Sequence, residues 1–301
     1  MNKTVSVVIP TCGGAEYLGR CLESVLNQTY EEIEVIIVDD NGVGSSNQMR
    51  TAELIAKSYA KDNVKYVCHQ KNINGAAARN TGVKNSRGEY IALLDDDDVF
   101  LPYRIERQVK LLDALPQSFA AVYCSHETFL AGKKIGEKHA TLNGHILYEY
   151  MSHKVEIASS AIMIRRSVWE ELNGFDETFK RHQDWEFISR VLFKYKIMSD
   201  DFYGFERHLI FRNRAASPIV AKQRREYYLE KMSPILNTLP QHQVNEIIIG
   251  ERVDIALYYL KDKQILRFFC ELYQIKSYRV LFLILVKRLV AFIRREQRII
   301  K

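Results

Sequence analysis

Four consecutive acids, Asp95-Asp96-Asp97-Asp98, end the apolar run Tyr90-Ile91-Ala92-Leu93-Leu94. Like charges so close repel one another unless a cation sits among them. Mg²⁺ or Mn²⁺ suits that role, because hard divalent ions take carboxylate oxygens and bridge to substrate phosphates. A solvated acidic loop is the plainer reading. Ligands of open α/β sheets, however, bind just beyond the carboxyl ends of strands, which is where these acids stand. They are therefore expected to form a metal and nucleotide-phosphate site. Asp39-Asp40 closes the run Glu34-Val35-Ile36-Ile37-Val38 in the same manner, and Asp184 and Glu186 stand in the first turn of a helical stretch, where the macrodipole favours acids.

The elements that must position these residues follow from periodicity. Thr4 to Ile9 reads as a buried strand stopped by Pro10, and Glu34–Val38, Val64–Cys68 and Ile91–Leu94 read as further strands. Between them Tyr17–Leu26, Ala52–Ala60 and Gly75–Val83 have helical spacing. Strands alternating with helices imply a mainly parallel sheet covered on both faces. A helix is expected from Pro102 to about Leu115, with Asp98 a candidate for its cap. Beyond it come strands at Ala120–Cys124, Ser160–Ile164 and Phe205–Phe211, with a loop or β-hairpin over Ser125–Gly144. From Lys222 the pattern is helical to the end.

The 301 residues have the composition of an ordinary globular protein, 47% hydrophobic and 27% charged. Five scattered cysteines, none in a CxxC pair, fit a reducing compartment and argue against a disulfide framework or a zinc site. No signal peptide is visible after Met1, and no apolar run reaches the ~18 residues of a spanning helix. The net charge of +6 is unevenly placed: from Ala215 onward there are 16 basic and 8 acidic residues, against 27 and 29 before. A basic tail points to a local anionic partner rather than to nucleic acid, because apolar runs separate its charges.

Seven segments occur together in order: Val7-Val8-Ile9-Pro10-Thr11, Ser24 to Thr29, Val38-Asp39-Asp40, Asn74 to Gly82, Leu94 to Asp98, Gly174-Phe175-Asp176 and Gln183-Asp184-Trp185-Glu186. With this set, residues 4–217 resemble the family-2 inverting glycosyltransferases. The resemblance implies an α/β fold of GT-A type, a Rossmann-like, mainly parallel sheet with helices on both faces, here followed by a C-terminal helical segment. Residues 1–217 would be the catalytic domain and 218–301 a basic, amphipathic helical segment. The implied reaction moves a sugar, with inversion, from a nucleotide-sugar donor to a hydroxyl of a saccharide or undecaprenyl-linked acceptor, in cell-surface polysaccharide synthesis.

Carried over position by position, the resemblance places Pro10, Thr11, Asp39 and Asp40 around the nucleotide, Asp39 on the base, where it favours UDP. Arg79 would face the diphosphate, as a guanidinium fork suits phosphate oxygens. Asp95 and Asp96 would lie at the donor, Asp95 on the ribose, and Asp97 would hold Mn²⁺ or Mg²⁺, although four acids permit a shift by one. Asp184 would be the general base, with Glu186 as the fallback and helix stabilisation as the plain alternative. Trp185 packs or stacks on a sugar, and His182 is an acceptor-site residue or a surface histidine. Where relatives carry an aromatic-Arg-x-His-x-x-Ser segment, this chain reads Phe211-Arg212-Asn213-Arg214-Ala215-Ala216-Ser217. Arg214 cannot ligate a metal, but it can grip the diphosphate. His208, six residues earlier, is a poor substitute. A sugar nucleotidyltransferase would need a basic Gly-rich loop after the first strand, and Pro10–Tyr17 contains no basic residue. An inactive nucleotide-sugar binder or membrane scaffold is the non-enzyme alternative, opposed by the intact acids.

Residues 276–301 carry eight basic residues against Glu296 alone, around the run Val280 to Val286. Such a helix suits a bilayer interface, and each basic residue near an anionic leaflet adds about 1 kcal/mol. Peripheral attachment to the inner face of the cell membrane is expected, with a core or dimer-forming helix as the alternative.

Overall fold

The structure is a computed structural model that describes residues 3–210 and 216–300, with the side chains at 279 and 291–300 left aside. The chain runs β1 (Val5–Thr11), α1 (Ala15–Leu26), β2 (Ile33–Asp39), α2 (Ser46–Ser58), β3 (Val64–Cys68), α3 (Gly75–Lys84) and β4 (Tyr90–Leu93). It continues through β5 (Val99–Phe100), α4 (Arg104–Ala114), β6 (Phe119–Leu130), β7 (Lys133–Lys138), α5 (Leu147–Met151), β8 (Ile162–Arg165), α6 (Arg166–Glu171), α7 (Gln183–Lys194) and β9 (Lys196–Leu209). The last elements are α8 (Pro218–Leu236), α9 (Gln241–Lys261), α10 (Ile265–Tyr273) and α11 (Tyr278–Ile300).

The strands form one sheet in the order β3-β2-β1-β4-β8-β6-β9-β5, with β7 paired to β6. Parallel pairing holds through β3-β2-β1-β4, as the βα alternation implies, and returns between β6 and β9. The sheet as a whole is mixed, because β8 runs antiparallel between β4 and β6. The Ser125–Gly144 region contains a β6–β7 hairpin whose two-residue turn, Ala131-Gly132, has positive φ at both positions, the backbone that matches strand twist. The helix after Pro102 is capped at Tyr103 without a side-chain bond. Asp98 is therefore not its cap; its carboxylate accepts a backbone N–H from β9 instead. The final strand begins at Lys196, nine residues before the expected start, because Lys196 to the polar Ser199-Asp200 still pair with β6.

The parallel half is held by close packing of α3. An added Cβ at Gly82 would lie 2.2 Å from Val8 Cγ1 and 3.3 Å from Val38 Cγ2, both fully buried residues of the sheet. Gly82→Ala gains about 1 kcal/mol of helix propensity but overpacks the core at a cost of about 1–3 kcal/mol. The expected result is a lower urea midpoint for the variant, and an unchanged midpoint would show that α3 can move off the sheet.

Two compact units emerge: residues 1–146 with 156–210, and residues 147–155 with 211–301. They do not follow a single cut in the sequence, because the short stretch Leu147–Val155 joins the helical unit. There Tyr148 donates to Glu246, and His153 Nε2 lies 2.6 Å from Glu251 Oε1. Glu251 is fully buried on α9. Burial alone would raise its pKa, but Arg225 and His153 outweigh burial and hold it at about 2. The pair Arg225–Glu251 is closed to water on both sides, which makes it costly to break.

Candidate active site

The acids after β4 divide by parity. A backbone turn, with Asp98 N–H on Asp95 O at 3.0 Å, folds the run so that Asp96 and Asp98 are buried while Asp95 and Asp97 keep part of their surface open. Thr11 at the end of β1 donates its Oγ1 to Asp96 Oδ2 at 2.6 Å. His208 N–H on β9 donates to Asp98 Oδ1 at 3.0 Å. Two of the four acids thus pin neighbouring strands together, and the other two face outward at the rim. Burial first, and then the charges of Asp95 and Asp97, push the Asp98 carboxyl well above the usual carboxylate range.

Arg79 on α3 joins this rim to the helix that carries Asp184. Its Nη2 donates to Asp95 Oδ1 at 2.5 Å, and its Nη1 donates to Gln183 Oε1 and to Gly75 O, both at 3.2 Å. The side chain is 12% exposed and its guanidinium lies 5.6 Å from the centre of the Phe175 ring; both terminal nitrogens have protein partners, whereas the buried Nε has no hydrogen-bond partner. Asp95 is 38% exposed, its backbone N–H held by Ser160 Oγ at 3.1 Å and its Oδ2 approached by Ser159 Oγ at 3.3 Å.

Asp184 sits in the first turn of α7, directly after Gln183. Burial raises its pKa, Arg79 acts in the opposite direction, and Asp95 adds to the rise; the net shift is upward. A carboxylate tuned this way is a better proton acceptor near neutral pH than an ordinary aspartate. Glu186 is buried and bound through both oxygens by Arg190 Nε and Nη2, at 2.5 and 2.8 Å, so the fallback base is occupied. His182 enters the helix with a left-handed φ of 61° and stacks on Trp185 at 4.0 Å. A non-glycine residue in that conformation beside a candidate base is strain of the kind found at functional sites.

What holds α7 in place is the Gly174-Phe175-Asp176 turn. Asn80 brackets Phe175, accepting its N–H and donating to its carbonyl, both at 2.9 Å. Phe175 stacks on Phe187 of α7, with Trp169 against both, and Arg190 donates to the carbonyls of Leu172 and Gly174. One helix, α3, therefore fixes the acid rim through Arg79 and the turn before Asp184 through Asn80.

On the other side of β1, Asp39 is wholly buried. Its Oδ1 accepts from Asn41 N–H and Nδ2, at 2.9 and 2.8 Å, and its Oδ2 from Tyr66 Oη at 2.7 Å. Asp40 accepts from Ile73 N–H and Asn72 Nδ2, and its Oδ1 lies 2.8 Å from His69 Nδ1. Both carboxylates thus shape the loops after β2 and β3, and neither presents an open surface. Pro10 is half-buried on β1. Arg214, expected to grip the diphosphate, lies outside the described residues. Sequence reasoning missed Arg207 on β9, which donates to Glu156 Oε1 at 2.7 Å; its guanidinium feels Glu156 first, then Asp98, Asp95 and Asp184. It also missed Ser159 and Ser160, whose only sequence signal was a strand start.

Among the described residues no three His, Cys, Asp or Glu side chains gather into a protein cage for a metal. A Mg²⁺ or Mn²⁺ that bridges phosphates needs only one or two carboxylates, the rest of its shell coming from phosphate and water. Oxygen-only donors that keep part of their surface open fit such an ion, and Asp97 with Asp95 are the residues that would hold it.

The chain is similar in sequence and in fold to known proteins. An uncharacterized glycosyltransferase of Rickettsia prowazekii is 29% identical over 257 residues, covering 80% of this chain and 74% of the relative. In two further relatives the aligned region spans 62% and 27% of the relative's length. Among solved structures, Staphylococcus aureus TarS residues 1–349 in complex with UDP superposes with a TM-score of 0.57 at 16% identity, covering 85% of this chain and 80% of that one. The mannosyltransferase PcManGT of Pyrobaculum calidifontis, in complex with GDP-Man and Mn²⁺, gives 0.62 at 14% identity, covering 99% and 84%. These likenesses place the fold with the GT-A glycosyltransferases. The family description "Glycosyl transferase family 2" matches residues 6–172, more than half of the chain and the stretch that carries the acid rim, Arg79 and the strands that seat them, so this chain belongs to glycosyl transferase family 2.

Proposed function

We propose that the chain transfers a glycosyl group from a nucleotide-sugar donor, a UDP-sugar in the first instance, to a hydroxyl of a saccharide or lipid-linked saccharide, with inversion at the anomeric carbon. The observation that carries this reading is the Arg79 bridge, which sets an open acid rim and a base-like aspartate on either side of one guanidinium. Complexes of the solved neighbours with UDP and with GDP-Man and Mn²⁺ support a nucleotide donor.

In this reading Pro10, Thr11, Asp39 and Asp40 frame the nucleotide pocket, the two aspartates by holding the loops that line it. Asp95 and Asp97 lie at the donor, and Arg79 orients Asp95. Asp184 takes the acceptor hydroxyl's proton while that oxygen attacks the anomeric carbon and the nucleoside diphosphate leaves from the opposite face. A divalent ion held by Asp97 would supply Lewis-acid stabilisation of the charge on the leaving diphosphate. Arg207 adds fixed positive charge toward the same rim. Residues 1–217 would carry these steps. Assembly of a cell-surface polysaccharide is the process this chemistry would serve.

Calorimetry with UDP, dTDP and GDP, each with and without Mn²⁺, tests the reading. UDP is expected to bind, at least tenfold more tightly with Mn²⁺ than without, and Asp97→Ala is expected to erase that increment. Absence of binding by every nucleotide would overturn the transferase reading, and a metal-independent affinity would move the diphosphate contact from Asp97 to the arginines.

A further inference from the structure

In the helical unit, α10 and α11 both pack on α9: Phe268 and Leu272 of α10, and Leu281, Ile284 and Leu285 of α11, lie against a core built on Val253 and Ala256. With the inner faces satisfied, the outer faces of surface helices are ordinarily polar. Here they are not. Leu266, Phe269 and Tyr273, at i, i+3 and i+7 of α10, are 60–86% exposed. On α11, Phe282, Leu283, Val286 and Val290 fall on one stripe and are exposed as well, Phe282 and Leu283 at 67% and 69%. Contiguous large apolar side chains in water mark an interaction surface rather than ordinary surface scatter.

The charges around the stripe select the partner. Lys261, Lys263, Arg267, Lys276 and Lys287 are exposed along the same stretch. Of its two acids, Glu271 is buried and bound to Lys222 at 2.7 Å, which leaves Asp262 as the exposed one. A second copy meeting this face about a twofold axis would set like charges against one another. An anionic bilayer instead accepts both components, apolar side chains below the headgroups and lysines and arginines at the phosphates. No described helix is long and apolar enough to cross a membrane, so the geometry is that of lying on the surface.

We propose that the outer faces of α10 and α11 dock on an anionic bilayer surface, with Leu266, Phe269 and Tyr273 of α10 entering the interface and the surrounding basic side chains meeting lipid phosphates. The sequence placed membrane contact in residues 276–301; the exposed face moves its leading edge to α10. This surface is read independently of the transfer chemistry.

The test is co-sedimentation of the full chain with vesicles of phosphatidylcholine alone and of phosphatidylcholine with one-third phosphatidylglycerol, without nucleotide, at low and high salt. Partitioning is expected to be at least tenfold stronger on anionic vesicles and to weaken with salt. The double variant Leu266→Glu/Phe269→Glu should lose at least tenfold, with melting temperature and UDP affinity unchanged. Lys276→Gln/Lys287→Gln should lose the anionic preference while keeping the fold. Equal partitioning of the Leu266→Glu/Phe269→Glu variant would overturn the proposal. So would light scattering that shows a lipid-free dimer which those substitutions dissociate, since a second copy would then be the occupant. Vesicle binding and nucleotide binding are separate readouts, so loss of one leaves the other reading standing.

Discussion

Asp184→Asn is expected to lower kcat by about 10²–10⁴-fold, the usual contribution of a positioned general base, with donor affinity unchanged. Asparagine keeps the shape of the side chain and its place in the first turn of α7 but cannot accept a proton. Glu186 cannot substitute, since Arg190 holds both of its oxygens. The pH dependence has a definite sign. Burial and Asp95 raise the Asp184 pKa more than Arg79 lowers it. The base therefore takes up its proton at a higher pH than an ordinary aspartate, and the acid limb of kcat/KM should fall above the reference value of 3.8. Linkage gives a second readout. A carboxyl whose folded pKa is raised binds its proton more tightly in the native state, so its ionisation costs stability as pH rises from the unfolded pKa through the folded one. Asp184→Asn removes that cost, and the variant should melt no lower than the parent at neutral pH. Single-turnover assays across pH and thermal melts measure both effects. A variant with near-parental kcat would remove Asp184 from the chemistry.

The positions of β1, β2 and β4 were legible in the sequence because each is a buried apolar run that meets an acid or a proline, although β1 runs on through Pro10 to Thr11, which still pairs with Asp39 of β2. Ile9-Pro10, Val38-Asp39 and Leu94-Asp95 all converge on the rim the structure shows. The roles within the Asp95–Asp98 run were less so. Four identical letters conceal a parity that is set by partners 85 and 110 residues away, Thr11 and His208. The reversed β8 was hidden for a related reason: a four-residue apolar strand carries no mark of its direction. The resemblance sets Arg79 at the diphosphate, and the sequence carries no sign of the Asp95 and Gln183 oxygens that its guanidinium also meets. Arg207 lay inside an expected strand, but its partner Glu156 is 51 residues away, and nothing in the sequence joins the two. The stretch Leu147–Val155 joins the helical unit through polar contacts of Tyr148, Ser152, His153 and Lys154, which no periodicity announces.

Arg79→Gln is expected to lower kcat by about 10²-fold, the scale of a misplaced catalytic group, and to move the acid limb of kcat/KM to higher pH. The limb moves because Arg79 is the nearby charge that opposes the rise of the Asp184 pKa. Without it, burial and Asp95 are opposed only by backbone N–H groups of the first turn, and the base holds its proton further up the pH scale. The rate falls for a geometric reason as well. Arg79 Nη2 holds Asp95 and Nη1 holds Gln183, so the guanidinium sets the spacing between the donor rim and the helix that presents Asp184. Lysine at position 79 restores a charge but not a planar fork, so Arg79→Lys should return the pH limb toward its parental position while recovering little of kcat. That split separates two roles for the residue. If Arg79 instead gripped the diphosphate as a simple cation, lysine would recover donor affinity, the loss in Arg79→Gln would fall on KM, and the pH limb would stay in place. A double-mutant cycle with Asp95→Asn sharpens the distinction, because a bridge shared by two residues gives strongly non-additive losses, whereas independent contacts to the donor add.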